Sequence, residues 1–181
     1  MRFVFSPFLS CCHAALLGLA LILSACSSRS SLPMLMVERL NWMDEVALAK
    51  QVKSLPITDP VREAELLRTM TQRGVAAGLK EQNVRRFFTG QMQAAKVVQE
   101  EWLQQHPQGV TSYVMVPDLK LTVRPALDAI GQKMIASLAT PRSPAASAAV
   151  LVEAGQRLAR AGYSKAASQP ALEGLEAGLA P

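Results

Sequence analysis

Val84, Phe88, Gln91, Ala95, Val98 and Trp102 recur at steps of 4, 3, 4, 3 and 4. That alternation lays six side chains along one stripe of a helix, a packing seam of the coiled-coil kind. Such a seam wants antiparallel neighbours, which points to a helical bundle. The helix carrying it is expected to run from about Glu81 to Gln105, the longest in the chain, and to stop at Pro107. Gln91 and Gln99 are polar residues at or beside the seam.

The remaining segments supply the neighbours. One helix is expected from about Leu32 to Lys53, ending ahead of Pro56 because the residue before a proline disfavours the helical region. Asp59-Pro60 is a start signal, with Asp59 as N-cap and Pro60 as first helical residue. That helix continues to about Ala77 and ends at Gly78. A long connection, His106 to Pro117, follows the longest helix and holds the short apolar run TSYVMV. A fourth helix begins near Thr122 to Pro125 and runs to about Leu138, where Thr140 to Pro144 breaks it. Another spans about Ala146 to Gly162, and the small-residue tail has one weak helical stretch, Leu172 to Leu179. No strand pattern or internal repeat stands out. The expected fold is all-α, a bundle of about five to six helices with no sheet.

The 181 residues read as one domain behind an export segment. The apolar run from Ala14 to Leu23 is about half the ~20 residues a membrane-spanning helix needs. It therefore reads as a signal peptide over residues 1–25. Leu23-Ser24-Ala25-Cys26 resembles a bacterial lipobox, which implies cleavage before Cys26 and lipidation of its thiol. Ser27 after that cysteine points to the outer membrane of a bacterium with two membranes, hence a periplasmic, lipid-anchored protein. An ordinary signal cut near Ala25 is the alternative. Residues 26–31 form a polar tether, and residues 32–181 a single all-helical domain.

Cleavage would remove Cys11, Cys12 and His13, leaving Cys26 and His106. One cysteine cannot close an internal disulfide, and one histidine does not make a zinc site, so no metal is expected. Basic residues are scattered and the whole chain carries only +5, which argues against a nucleic-acid partner. The charge suits a small anion better than a polymer.

The candidate site for that anion lies between Val37 and Glu63. Arg39 and Lys50 are eleven residues apart, and eleven helical steps of ~100° overshoot three turns by only about 20°. Both cations thus fall on one line, with apolar Met43 and Val46 between them. A cation on an apolar stripe either snorkels to solvent or meets a buried anion.

Three ordered groups of residues resemble the all-helical AroQ-type chorismate mutases. They are Glu38-Arg39-Leu40, Val46-Ala47, Lys50, Ile57, Asp59 and Arg62-Glu63; then Phe87-Phe88, Gln91-Met92, Ala94, Lys96 and Gln99; then Asp118-Leu119, Arg124-Pro125 and Leu127-Asp128. The signal peptide and the helical C-terminal half are similar to the exported, gamma subclass. The resemblance implies catalytic helices over 32–138 and a helical extension over 139–181. It implies rearrangement of chorismate to prephenate, the chemistry of phenylalanine and tyrosine biosynthesis, with no cofactor. Arg39, Arg62 and Arg124 would bind the two substrate carboxylates. Lys50 and Gln99 would act on the ether oxygen, and Glu63 with Asp59 would receive the ring hydroxyl. Arg124 lies far along the same chain, so the active site is expected to be intramolecular even if the protein forms a homodimer.

Each residue also has a plainer reading. Arg39 could pair with Glu38 or Asp44, and Lys50 could be a snorkelling surface lysine. Glu63 suits a first helical turn on dipole grounds alone, Gln99 could simply border the seam, and Arg124 could be a solvated helix-start residue. A non-catalytic carboxylate receptor would need the arginines but has no use for Lys50 and Gln99. Ala95 stands where relatives often carry a small polar side chain, a departure from the family pattern.

Overall fold

A computed structural model describes residues 31–107 and 115–181. Seven α-helices are found there: α1 Leu32–Asn41, α2 Met43–Val52, α3 Pro60–Ala76, α4 Glu81–Gln105, α5 Arg124–Leu138, α6 Pro144–Arg160 and α7 Lys165–Leu179. A π-helical turn, Leu119–Val123, leads into α5. No strand occurs among the described residues, and no helix there is long and apolar enough to cross a membrane. The signal segment, Cys26 and most of the tether lie outside the described residues, as does most of TSYVMV.

Local chemistry explains most of the helix ends. The Asp59 carboxylate accepts from the Arg62 N–H at 3.0 Å and caps α3. Gly78 and Gly162 adopt φ of +85° and +83°, the left-handed turn that ends α3 and α6. Ser143 and Ser164 cap α6 and α7 by accepting from Ala146 N–H and Ala167 N–H. Asp118 accepts from the N–H groups of Lys120 and Leu121, which anchors the π-helical turn.

The long helix α4 has the predicted bounds and sits at the centre. It packs against α2 and α3 on one side and α7 on the other, while α1 packs between α5 and α6. Val84, Phe88, Gln91, Ala95 and Val98 of the seam are buried. Trp102 is only partly buried and stacks on His106 with ring centroids 4.2 Å apart. Phe87 and Phe88 meet edge to face at 5.0 Å in the middle of the core.

Three expectations are corrected. The helix expected over Leu32 to Lys53 is two helices, because Trp42 has ψ of −8° and tightens the backbone there. The ladder resumes when Val46 N–H bonds the Trp42 carbonyl, so the line from Arg39 to Lys50 survives the break. The tail holds far more than a weak stretch. Its helix α7 spans fifteen residues and buries Ala167, Ala171, Gly174, Leu175 and Gly178 against the bundle. Its packing rests on absent side chains: a Cβ on Gly90 would stand 2.9 Å from Gly174 Cα and strike the Pro170 carbonyl. Helices α4 and α7 thus touch backbone to backbone, a contact that a hydrophobic pattern does not reveal. Helix α6 also starts two residues earlier than expected, at Pro144.

Candidate active site

Helices α1 to α5 enclose a cavity of about 150 Å³ whose wall includes all seven expected site residues: Arg39, Lys50, Asp59, Arg62, Glu63, Gln99 and Arg124. Apolar side chains complete it, among them Met43, Val46 and Leu66. All come from one chain, and Arg124 is delivered by the start of α5.

Arg39 is 4 % exposed and its Nε has no hydrogen-bond partner. Burial pulls its pKa down to about 10. A guanidinium in this position is short of an anion. Lys50 is half-buried and its ammonium donates to the Ile57 carbonyl in the break between α2 and α3. Burial lowers its pKa below the ordinary lysine value, against the opposing pull of Asp59 and Glu63.

Gln99 is 4 % exposed. Its Nε2 donates to the Ala95 carbonyl at 2.9 Å and to Met43 Sδ at 3.6 Å, and its Oε1 has no partner. Thioether sulfur is a weak acceptor, so the proton facing Met43 is the one a ligand oxygen could capture. Glu63 Oε1 accepts from the Asp59 N–H at 3.3 Å, while the Asp59 carboxylate accepts from the Arg62 N–H.

Two expected carboxylate ligands stand apart in this structure. The Arg62 guanidinium points to Glu65, one turn on, at 2.6 Å, in a pair open to solvent. Arg124 is exposed at the cavity rim. Two charged wall residues belong to the family pattern but have no role assigned from the sequence. Lys96 pairs with Glu63 at 3.0 Å, and Asp128 pairs with Arg73 at 2.6 Å. Lys96 could have been found by spacing, because it lies three residues before Gln99 on the same helix. Asp128 likewise lies one turn after Arg124.

Five cations and three carboxylates therefore line the wall, a surplus of two positive charges. The outside pairings of Arg62 and Asp128 offset each other. The all-helical bundle thus holds a small pocket whose wall carries more positive than negative charge, a setting that favours an anion. Among the described residues no group of histidines, cysteines and carboxylates is arranged to hold a metal.

Residues 31–100 match the family model for chorismate mutase type II. No curated protein matches the chain in sequence. Among solved structures, the chorismate mutase from Burkholderia thailandensis is 27 % identical with a TM-score of 0.69, covering 83 % of this chain and 98 % of its own. That from Burkholderia phymatum is 25 % identical with a TM-score of 0.70, over 84 % and 96 %. The secreted chorismate mutase from Yersinia pestis is 20 % identical with a TM-score of 0.67, over 83 % and 96 %, a likeness of fold alone. Residues 31–100 are thus similar to the type II chorismate mutases, and the fold as a whole is like that of solved all-helical chorismate mutases.

Proposed function

We propose that this protein rearranges chorismate to prephenate and that it does so outside the cytoplasm. The reaction is a pericyclic shift: one C–O bond breaks as one C–C bond forms, and no atom enters or leaves. It needs no nucleophile and no cofactor. It needs a flexible dianion folded into a chair with its reacting carbons close together.

The observation that carries this reading is the surplus of two positive charges around a cavity of about 150 Å³, equal and opposite to the charge of the substrate. Arg39 takes one carboxylate, and its unpartnered Nε supplies a waiting donor. Arg124 and Arg62 take the other, with Arg62 leaving Glu65, an exposed pair worth little. Lys50 and Gln99 face the ether oxygen, where charge accumulates as the C–O bond opens. Their contribution is larger in the transition state than in the bound substrate, which is what accelerates a reaction. Glu63, with the backbone near Asp59, accepts the ring hydroxyl.

The export segment and the Cys26 lipid site belong to the same proposal. Cys26→Ser should release the protein from the membrane fraction. The enzymatic reading is tested by following loss of chorismate absorbance with protein lacking residues 1–26. Turnover is expected, and Lys50→Ala should lower kcat at least a hundredfold, about the scale of one electrostatic donor. Near-normal turnover in that variant would remove Lys50 from the ether oxygen.

A further inference from the structure

The wall of the cavity contributed by α4 consists of Met92, Ala95, Lys96 and Gln99. With alanine at position 95, Lys96 and Gln99 are the only polar side chains this helix presents. Lys96 is not idle there. Its Nζ lies 3.0 Å from Glu63 Oε2, and both side chains are 28 % exposed. The other Glu63 oxygen accepts from the Asp59 N–H. The Glu63 carboxylate is thus gripped at both oxygens, by a backbone donor of α3 and an ammonium of α4.

We infer that Lys96 is a positioning residue for the substrate: it fixes the Glu63 carboxylate against the ring hydroxyl and supplies one of the two surplus positive charges. This rests on the proposed chorismate reading, which makes Glu63 the hydroxyl acceptor. Two physical consequences follow from the geometry. Freed from Lys96, Glu63 would keep only its 3.3 Å contact to the Asp59 N–H and could rotate away from the cavity. The pocket charge would also fall from a surplus of two to a surplus of one, a poorer match to a dianion. Both effects act on bound substrate and transition state alike, because the hydroxyl and the carboxylates do not change charge during the shift. The signature is therefore in KM and not in kcat.

The test compares Lys96→Met with Lys96→Arg, alone and combined with Glu63→Gln. Lys96→Met should raise KM roughly tenfold while kcat stays within about threefold, the pattern of lost uniform binding. Lys96→Arg should recover most of the loss, which a purely structural role would not require. Glu63→Gln added to Lys96→Met should cost less than the two single effects combined, since the residues act as one unit. An unchanged KM in Lys96→Met, a loss confined to kcat, or additive effects would overturn the assignment. Calorimetric binding of a non-reacting bicyclic dicarboxylate shaped like the chair reads Lys96 without turnover. Wild-type binding weakened by Lys96→Met but not by Lys96→Arg supports the positioning role even if chorismate is not turned over, and that result would sink only the catalytic reading. Equal binding by all three proteins, or none by the wild type, overturns the role of Lys96.

Discussion

The Gln99 amide nitrogen donates to the carbonyl oxygen of Ala95, 2.9 Å away and one turn earlier on α4. This bond aims the amide, because the same nitrogen reaches across to Met43 Sδ at 3.6 Å on α2. A glutamate at position 99 could repeat the bond only when protonated, since a carboxylate has no hydrogen to give. Ionised, it would stand against the Ala95 carbonyl and face an ether oxygen that is gaining negative charge. Gln99→Glu should therefore lose activity about tenfold or more at neutral pH and regain it toward acid, because burial and a neighbouring acceptor favour the neutral form. A pH–rate profile parallel to the wild type would show that Gln99 does not face the reacting oxygen.

Lys50 makes the wild type sensitive at the other end of the scale. Burial sets its pKa below 10.5, so the free enzyme loses this charge at lower pH than an exposed lysine would. The alkaline limb of kcat/KM should fall accordingly, and that of kcat should lie higher, because a bound dianion favours the ammonium. The sign for stability is opposite. The unfolded chain holds the proton more tightly, so between the depressed value and 10.5 this group makes stability rise with pH. Coincident limbs in the two profiles would exclude Lys50 as the titrating group.

Arg39 should trade stability for function. Its guanidinium is buried with Nε unpartnered and its pKa pulled down to about 10, so the unliganded fold carries an uncompensated charge. Arg39→Met keeps the volume and removes that cost. We expect activity to vanish while the protein gains roughly 1–3 kcal/mol. Thermal melts without ligand read this directly, and a lower Tm would mean that Arg39 supports the fold.

Gly90 tests the close approach of α4 and α7. Gly90→Ala places a methyl group against the Pro170 carbonyl and within 2.9 Å of Gly174 Cα, atoms that move only with their helix. Stability should fall by about 1–3 kcal/mol, the usual cost of overpacking. Cavity residues lie on the other side of α4, so kcat should change little. Unaltered stability would mean that α7 is free to slide.

Mixing Arg39→Ala with Arg124→Ala, under conditions that let subunits exchange, should leave the preparation inactive. Both arginines line the same cavity of one chain. Each variant pocket then lacks one arginine whatever the oligomeric state. Recovered activity would require a pocket shared between chains.

Local signals decided the helices that carry most of the site. Asp59-Pro60, Gly78 and Pro107 mark boundaries through capping, positive φ and a missing N–H, effects that act within a turn and are readable from sequence. The eleven-residue spacing put Arg39 and Lys50 on one line because helical geometry is periodic. The family resemblance then named Arg62, Glu63, Gln99 and Arg124, and one cavity contains them all.

What the tertiary structure alone decided depends on contacts between segments distant in the chain. Trp42 interrupts a helix whose residue pattern is continuous. Helix α7 is held by the absence of side chains at Gly90 and Gly174, and small residues carry almost no hydrophobic signal. The ion pairs of Lys96 with Glu63 and of Arg73 with Asp128 join residues 33 and 55 positions apart, a separation at which sequence spacing says nothing about charge pairing. Arg62 on Glu65 is the converse case: a three-residue spacing that any helix brings together, and that the free pocket uses to hold one of its arginines outside.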